Sequence, residues 1–210
     1  MNEIPTRESQ ENEIIEELLY VSVGIGGDYI RCGSESEEAA LKRRGRSIVI
    51  DESVPTQMRG VILKILPVFL SYTEISDYID KYSTFESGLV CQSFCAGLNS
   101  VVKEYLVAIS QIEQMKRESS LSLQKIYFLL SPLSQTLEKI SSLCFQADSE
   151  NMKGAALINL LYKFHYENIA DKNVSSIFFF LITTTMKPYF EMLESWIFQG
   201  IFFFFYLIKK

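Results

Sequence analysis

Four small groups of residues have the types and spacing to do chemistry. Gly24-Ile25-Gly26-Gly27 is the glycine-rich one. Glycines in such a loop let backbone N–H groups crowd round a phosphate, and a helix opening directly after them adds its dipole. A dinucleotide loop wants a further glycine three residues after Gly26, where this chain has Tyr29, and a P-loop wants Gly-Lys-Ser/Thr, which the sequence lacks. Directly after Gly27 comes "DYIRC", a strand-like run, so the glycines read as a turn. Cys91 and Cys95 stand four apart and share a helix face, enough for two metal ligands where a closed zinc site needs four. His165 is the only histidine and no second cysteine pair has ligand spacing, so the pair reads as small buried hydrophobes. His165 has no nucleophile at motif spacing, and Gly-x-Ser-x-Gly is missing. Glu16-Glu17 and Glu37-Glu38 lie in polar stretches where nothing would raise a carboxyl pKa for acid–base work. No catalytic residue, cofactor or metal is expected.

The totals point the same way. The chain has 210 residues, 48% apolar and 22% charged, enough for a real core in one or two domains. Ten Gly and five Pro favour long helices, and 15 Phe with 11 Tyr make large side chains dominate packing. A net charge of −6 offers nucleic acid no basic footprint. The cluster "LKRRGR" (41–46) comes after acidic "SESEE" (34–38) and reads as a solvated linker. The opening "MNEIPTRESQENEIIEE" has neither a basic nor an apolar signal region. Cys32, Cys91, Cys95 and Cys144 are therefore expected as reduced thiols.

Residues 1–17 read as a disordered acidic leader and 18–51 as a small β hairpin with a charged linker. The two hairpin runs fall within "LLYVSVGIGGDYIR" (18–31), and "SIVID" (47–51) offers a third strand. From residue 52 to 200 the apolar period is that of helices. Met58, Val61, Ile62, Ile65, Leu66 and Phe69 begin one stripe, with Pro67 expected to split or bend it. Ser83-Thr84-Phe85-Glu86 reads as a capping box opening a helix through Val90, Phe94, Val101, Tyr105, Ile109, Ile112 and Met115. A third long segment spans 121–145, with Leu123, Ile126, Tyr127, Leu130, Leu133, Leu137, Ile140 and Cys144 expected inward and a kink at Pro132; shorter ones span 154–168 and 174–187, the last apolar almost all round and so expected buried. The fold class is mainly α, a bundle of antiparallel helices with a small N-terminal β hairpin.

The last segment, opening at Pro188, carries Tyr189, Met192, Leu193, Trp196 and Ile197 at i, i+3, i+4, i+7, i+8, with Glu191 and Glu194 opposite. That stripe is either ordinary core or a contact with another subunit, where Trp and Tyr are enriched. Residues 201–210, "IFFFFYLIKK", form a divergent apolar tail. Neither this run nor "IFFFLI" (177–182) reaches the ~20 residues of a membrane span, so none is expected. A peripheral or tail-anchored membrane protein using the C-terminal run is the alternative reading.

"LLYVSVGIGGDYI", "ILPVFLSYTEISDYIDKYSTFESGLV", "LVAISQIEQ", "LSLQKIYFLLSP" and "PYFEMLESWIFQG", in that order, resemble the N-terminal region of the γ-tubulin complex component family, most nearly its component 2 branch. The likeness covers about residues 18–200. It implies a non-enzymatic helical scaffold whose N-terminal half packs beside other γ-tubulin complex components and whose C-terminal half holds γ-tubulin. The assembled ring nucleates microtubules at microtubule-organising centres, in the cytoplasm and cytoskeleton. "PYFEMLESWIFQG" matches a signature of the N-terminal half, which makes Tyr189, Phe190, Leu193, Trp196 and Ile197 the candidate contact or bundle residues. After Gly200 the likeness stops, so the chain is expected to be truncated, without the γ-tubulin-binding half, and its link to γ-tubulin indirect or lost.

Overall fold

In a computed structural model the protein is described over residues 7–34, 41–44, 46–118 and 121–199. The order is α1 (Arg7–Ser22), β1 (Ile30–Ser34), β2 (Leu41–Arg43), β3 (Arg46–Ile50), α2 (Thr56–Tyr82), a 3-10 turn (Phe85–Ser87), α3 (Leu89–Glu118), α4 (Leu123–Ser149), α5 (Ala155–Glu167) and α6 (Lys172–Gln199). The mainly-α class with a small antiparallel sheet near the N-terminus is as expected. The chain forms two compact units, Met1–Thr73 with Tyr105–Glu138, and Glu74–Glu104 with Lys139–Lys210. The helices α2, α3 and α4 each run from one into the other.

The first unit corrects the hairpin and the leader. Residues 7–22, read as leader and first strand, are helix α1. Ile14, Ile15, Leu18 and Val21 are buried, a helical spacing that begins upstream of the strand-like "LLYVSV" and overrides its β propensity. The glycine loop is not a hairpin turn. Gly24, at φ +92°, caps the helix: its N–H donates to the Val21 carbonyl at 3.0 Å and the Ile25 N–H to the Tyr20 carbonyl at 3.0 Å. Those two bonds are the Schellman closure, which needs a left-handed residue that only glycine adopts without strain. The sheet has order β1-β3-β2, with Ile30 opposite Ile50 and Leu41 opposite Ile48. Its strand β2 lies inside the stretch read as a linker. Ile30, Ile48 and Ile50 are buried, as are Met58, Ile62, Ile65, Leu66 and Phe69 of α2, Ile109 and Ile112 of α3, and Leu123 and Ile126 of α4.

In the second unit Ile75, Tyr78 and Tyr82 of α2, Val90, Phe94 and Leu98 of α3, Ile140 and Leu143 of α4, and Leu157 and Leu161 of α5 are buried. Tyr78 meets Phe94 edge-on, with ring centres 5.8 Å apart, and tilts against Tyr82 at 4.6 Å. The capping box does not form. Thr84 makes no side-chain cap bond; its hydroxyl meets that of Ser87 at 3.2 Å, the 3-10 turn ends at Gly88 with φ +86°, and α3 begins at Leu89. A left-handed Gly88 cannot continue a right-handed helix, so the helix starts after it.

Pro67 and Pro132 lie inside the single helices α2 and α4, and Pro188 inside α6. Of the split or bend expected at Pro67, the split does not occur, and the helix start expected at Pro188 is replaced by continuous helix. A proline inside a helix costs about 3 kcal/mol, and burial of apolar neighbours such as Leu66, Val68 and Phe69 offsets a penalty of that size. The helix α6 is also not buried all round: Val174, Phe178, Leu181 and Ile182 are buried, whereas Phe179 and Phe180 are exposed.

Candidate protein-contact surface

The residues with chemical potential are occupied by the fold itself. The glycine loop does gather backbone N–H groups round an anion, and the anion is the protein's own. Glu17 of α1 accepts from Asp28 N at 2.9 Å through Oε1, and from Tyr29 N at 2.8 Å and Ile30 N at 3.1 Å through Oε2. Glu13 one turn earlier accepts from the Tyr29 hydroxyl at 3.1 Å, which raises that phenol's pKa. The donors that a phosphate would need are satisfied. Cys91, Cys95 and Cys144 are buried thiols, and burial pushes the Cys95 thiol up to about 12. Among the described residues no three His, Cys, Asp or Glu side chains are placed to hold a metal. His165 sits between the rings of Tyr162, 6.4 Å away, and Phe179, 6.3 Å away. Its Nδ1 is buried and lacks a hydrogen-bond partner among the described residues.

In the first unit α1 and α3 flank a groove of about 750 Å³ floored by Leu19, Tyr20, Val23, Leu106 and Ile109. The charges at its rim are matched within the protein: Lys116 reaches Glu16 at 2.6 Å, and Arg117 reaches Glu113 at 2.5 Å. The sequence hid this groove, because one of its walls is the helix read as a hairpin.

The second unit carries the candidate residues on the C-terminal half of α6. Tyr189 is 43% exposed, Phe190 53%, Trp196 48% and Ile197 63%, and Leu193 is half-buried. Tyr189 and Phe190 meet edge-on at 5.8 Å, and Lys187 faces Glu191 at 3.9 Å beside them. At about 100° per residue, Tyr189 and Trp196 continue the line of Phe178 and Ile182, which is core higher up the helix. Phe190, Leu193 and Ile197 lie on a second line, about 80° away. The structure therefore divides what the sequence presented as one stripe. Past buried Pro188 the residues from Tyr189 to Phe198 are exposed or half-buried. Tyr162, Tyr166 and Phe179 are exposed aromatics that the sequence reasoning missed, and Phe179 lies in the segment 174–187 that it expected buried.

Exposed aromatics of this kind are the side chains at which protein contacts concentrate. A family model described as the N-terminal region of γ-tubulin complex components matches residues 15–205. The chain belongs to that family. Among its relatives, γ-tubulin complex component 2 of Mus musculus is 34% identical over 193 residues, which are 92% of this chain and 21% of the mouse protein. Component 2 of Arabidopsis thaliana is 26% identical over 91% of this chain and 28% of its own length. The spindle pole body component alp4 of Schizosaccharomyces pombe is 24% identical over 91% of this chain and 30% of its own. The chain thus spans between about a fifth and a third of these relatives, and the resemblance to the component 2 branch is supported. Among the described residues no helix is long and apolar enough to cross a membrane. The tail invoked for the membrane alternative, like the Gly200 stop, lies outside the described residues.

Proposed function

We propose that this γ-tubulin complex component chain is a structural, non-enzymatic module of a γ-tubulin complex that serves microtubule nucleation at microtubule-organising centres through lateral contacts with other components. Its place is the cytoplasm and cytoskeleton. The observation that carries the reading is the family match across residues 15–205, over a region in which Glu17 already takes the loop N–H groups of residues 28 to 30. The apolar side chains Tyr189, Phe190, Leu193, Trp196 and Ile197, exposed or half-exposed on one helix end, supply the contact. Burying an aromatic of this kind at an interface centre contributes about 2 kcal/mol or more. The test is capture of a purified component 3-type relative by the folded chain, compared with Phe190→Glu and Trp196→Ala variants of unchanged circular dichroism. Capture weakened at least tenfold by either variant supports the reading; a folded chain that recovers no other component overturns it.

A further inference from the structure

The outward line on α6 is longer than the candidate residues alone. Phe179, Thr183, Met186, Phe190, Leu193 and Ile197 are each exposed or half-exposed. They are spaced 4, 3, 4, 3, 4, which is the 3.5-residue repeat of a helix that packs lengthwise on another helix. The break in its apolar character is Thr183, whose hydroxyl is turned back onto the Phe179 carbonyl at 2.9 Å. The opposite line of Val174, Phe178, Leu181, Thr185 and Pro188 is buried, so α6 has one face in its own core and one free for a partner.

The flanks of the line say which partner. In a pair of antiparallel α6 helices related by a two-fold axis, Phe190 meets Leu193 of the other copy and Met186 meets its Ile197. That register sets Lys187 against Glu194 of the other copy on one flank and Tyr189 against Trp196 on the other, and the two-fold repeats both matches. Sliding the pair by one heptad opposes Glu194 with Glu194 in one direction and Lys187 with Lys187 in the other, and like charges directly opposed reject the register. A parallel pair leaves Lys187 and Glu194 facing Ile182 and Tyr189, with no charge to match. We infer that α6 pairs antiparallel with α6 of a second copy of this chain through Met186, Phe190, Leu193 and Ile197. The inference rests on reading this helix end as a contact surface, and adds a second copy of the chain as an occupant that uses it in turn with another component.

The shared core runs about 17 Å along the helix, a small interface of the weak, reversible class. The experiment is sedimentation velocity on the full chain from about 1 to 500 µM, a range suited to such an interface. The expected result is a mass rising from monomer to dimer. Lys187→Glu alone and Glu194→Lys alone each weaken the dimer roughly tenfold by turning two attractive pairs into repulsive ones, and the double exchange restores it to within about threefold. All four proteins share one circular dichroism spectrum, because both side chains are exposed. A monomer throughout the range overturns the inference, whether the stripe is then covered by residues 201–210 or by another component. So does a dimer that the double exchange fails to rescue. Capture of the component 3-type relative is read on the same samples: capture without self-association sinks this inference alone, self-association without capture sinks the proposed function alone, and loss of both sinks both.

Discussion

The Glu17 carboxylate occupies the space that a Cβ on Gly27 would need: its Cδ and Oε2 lie 2.5 Å from that position. The carboxylate cannot step aside cheaply, since three backbone N–H groups of residues 28 to 30 hold it. A methyl group at residue 27 therefore breaks bonds that join α1 to the entry of β1. Gly27→Ala is expected to lower unfolding free energy by about 2 kcal/mol, and Glu17→Ala by a similar amount because it leaves the loop N–H groups without an acceptor. The double variant, with the clash and the carboxylate both gone, should cost little more than Glu17→Ala alone. Urea unfolding of the three proteins measures this, and strictly additive losses would show that the two residues do not share one interaction.

How much of the fold was legible depends on where the information sits in the chain. The stripes of α2, α3 and α4 were readable because each long helix buries one face, so Met58 to Phe69 and Val90 to Ile112 carry their own period, although Val61, Val101, Met115 and Leu133 are only half-buried and Tyr127 is exposed. The run Leu18 to Val23 was not, because its β-branched and aromatic residues favour strand locally and only Ile14 and Ile15 upstream reveal the helix. Pro67 and Pro188 signal a helix boundary by local chemistry, and packing carries the helix through both. At the candidate surface the sequence supplied the right helix. It could not tell that burial stops at Pro188, which separates Trp196 from its core-facing line and leaves Ile197 on the outer one. Glycine spacing alone likewise could not show that the N–H groups of the loop were already claimed by Glu17, eleven residues from Asp28.

Tyr105 of α3 donates its hydroxyl to the Ser22 carbonyl at 3.1 Å, where both residues are buried. Ser22 is the last residue of α1, so this bond ties that helix end to α3, and burial raises the phenol's pKa well above the ordinary range. Tyr105→Phe keeps the ring, stacked 5.0 Å from Tyr72, and removes only the donor. The expected loss is about 1–2 kcal/mol, the cost of a buried carbonyl deprived of its partner. Ser22 leads into the loop that Glu17 holds, so hydrogen exchange of the Ile25 amide should quicken in the same variant. An unchanged exchange rate with unchanged stability would remove the bond from the account.

Asp148 of α4 accepts from Lys81 at 2.5 Å and from the Tyr82 hydroxyl at 2.6 Å, both on α2. These bonds, Lys81 first, hold its carboxyl below the ordinary value of 3.8. The folded state therefore binds the proton less tightly than the unfolded chain does. The stabilisation is fully present above that ordinary value and fades as the pH falls through the lower folded one. Asp148 is partly exposed, so the contribution is modest, about 1 kcal/mol at neutral pH. Asp148→Asn should lose that amount at pH 7, and the gap between the two proteins should close below about pH 4. A gap that stays constant from pH 7 to pH 3 would show that the charge is not what matters.

Cys91 and Cys95 lie on the buried face of α3, and Cys144 on that of α4. The nucleophile in thiol chemistry is the thiolate, which burial disfavours. Burial raises the Cys91 thiol above 9.0, and burial first and Cys91 second push Cys95 from 9.0 to about 12. Below pH 9 that change leaves Cys95 about a thousandfold less thiolate than an exposed cysteine. Iodoacetamide at pH 8, read by mass spectrometry of the peptides, should leave Cys91, Cys95 and Cys144 unmodified in the native protein and label all three in guanidinium. Labelling of Cys95 in native buffer at the rate of a free thiol would mean that α3 does not bury this face. The same experiment on Phe94→Ala tests the packing directly. The cavity left beside the two cysteines should cost about 3–5 kcal/mol and speed native-buffer labelling through more frequent opening.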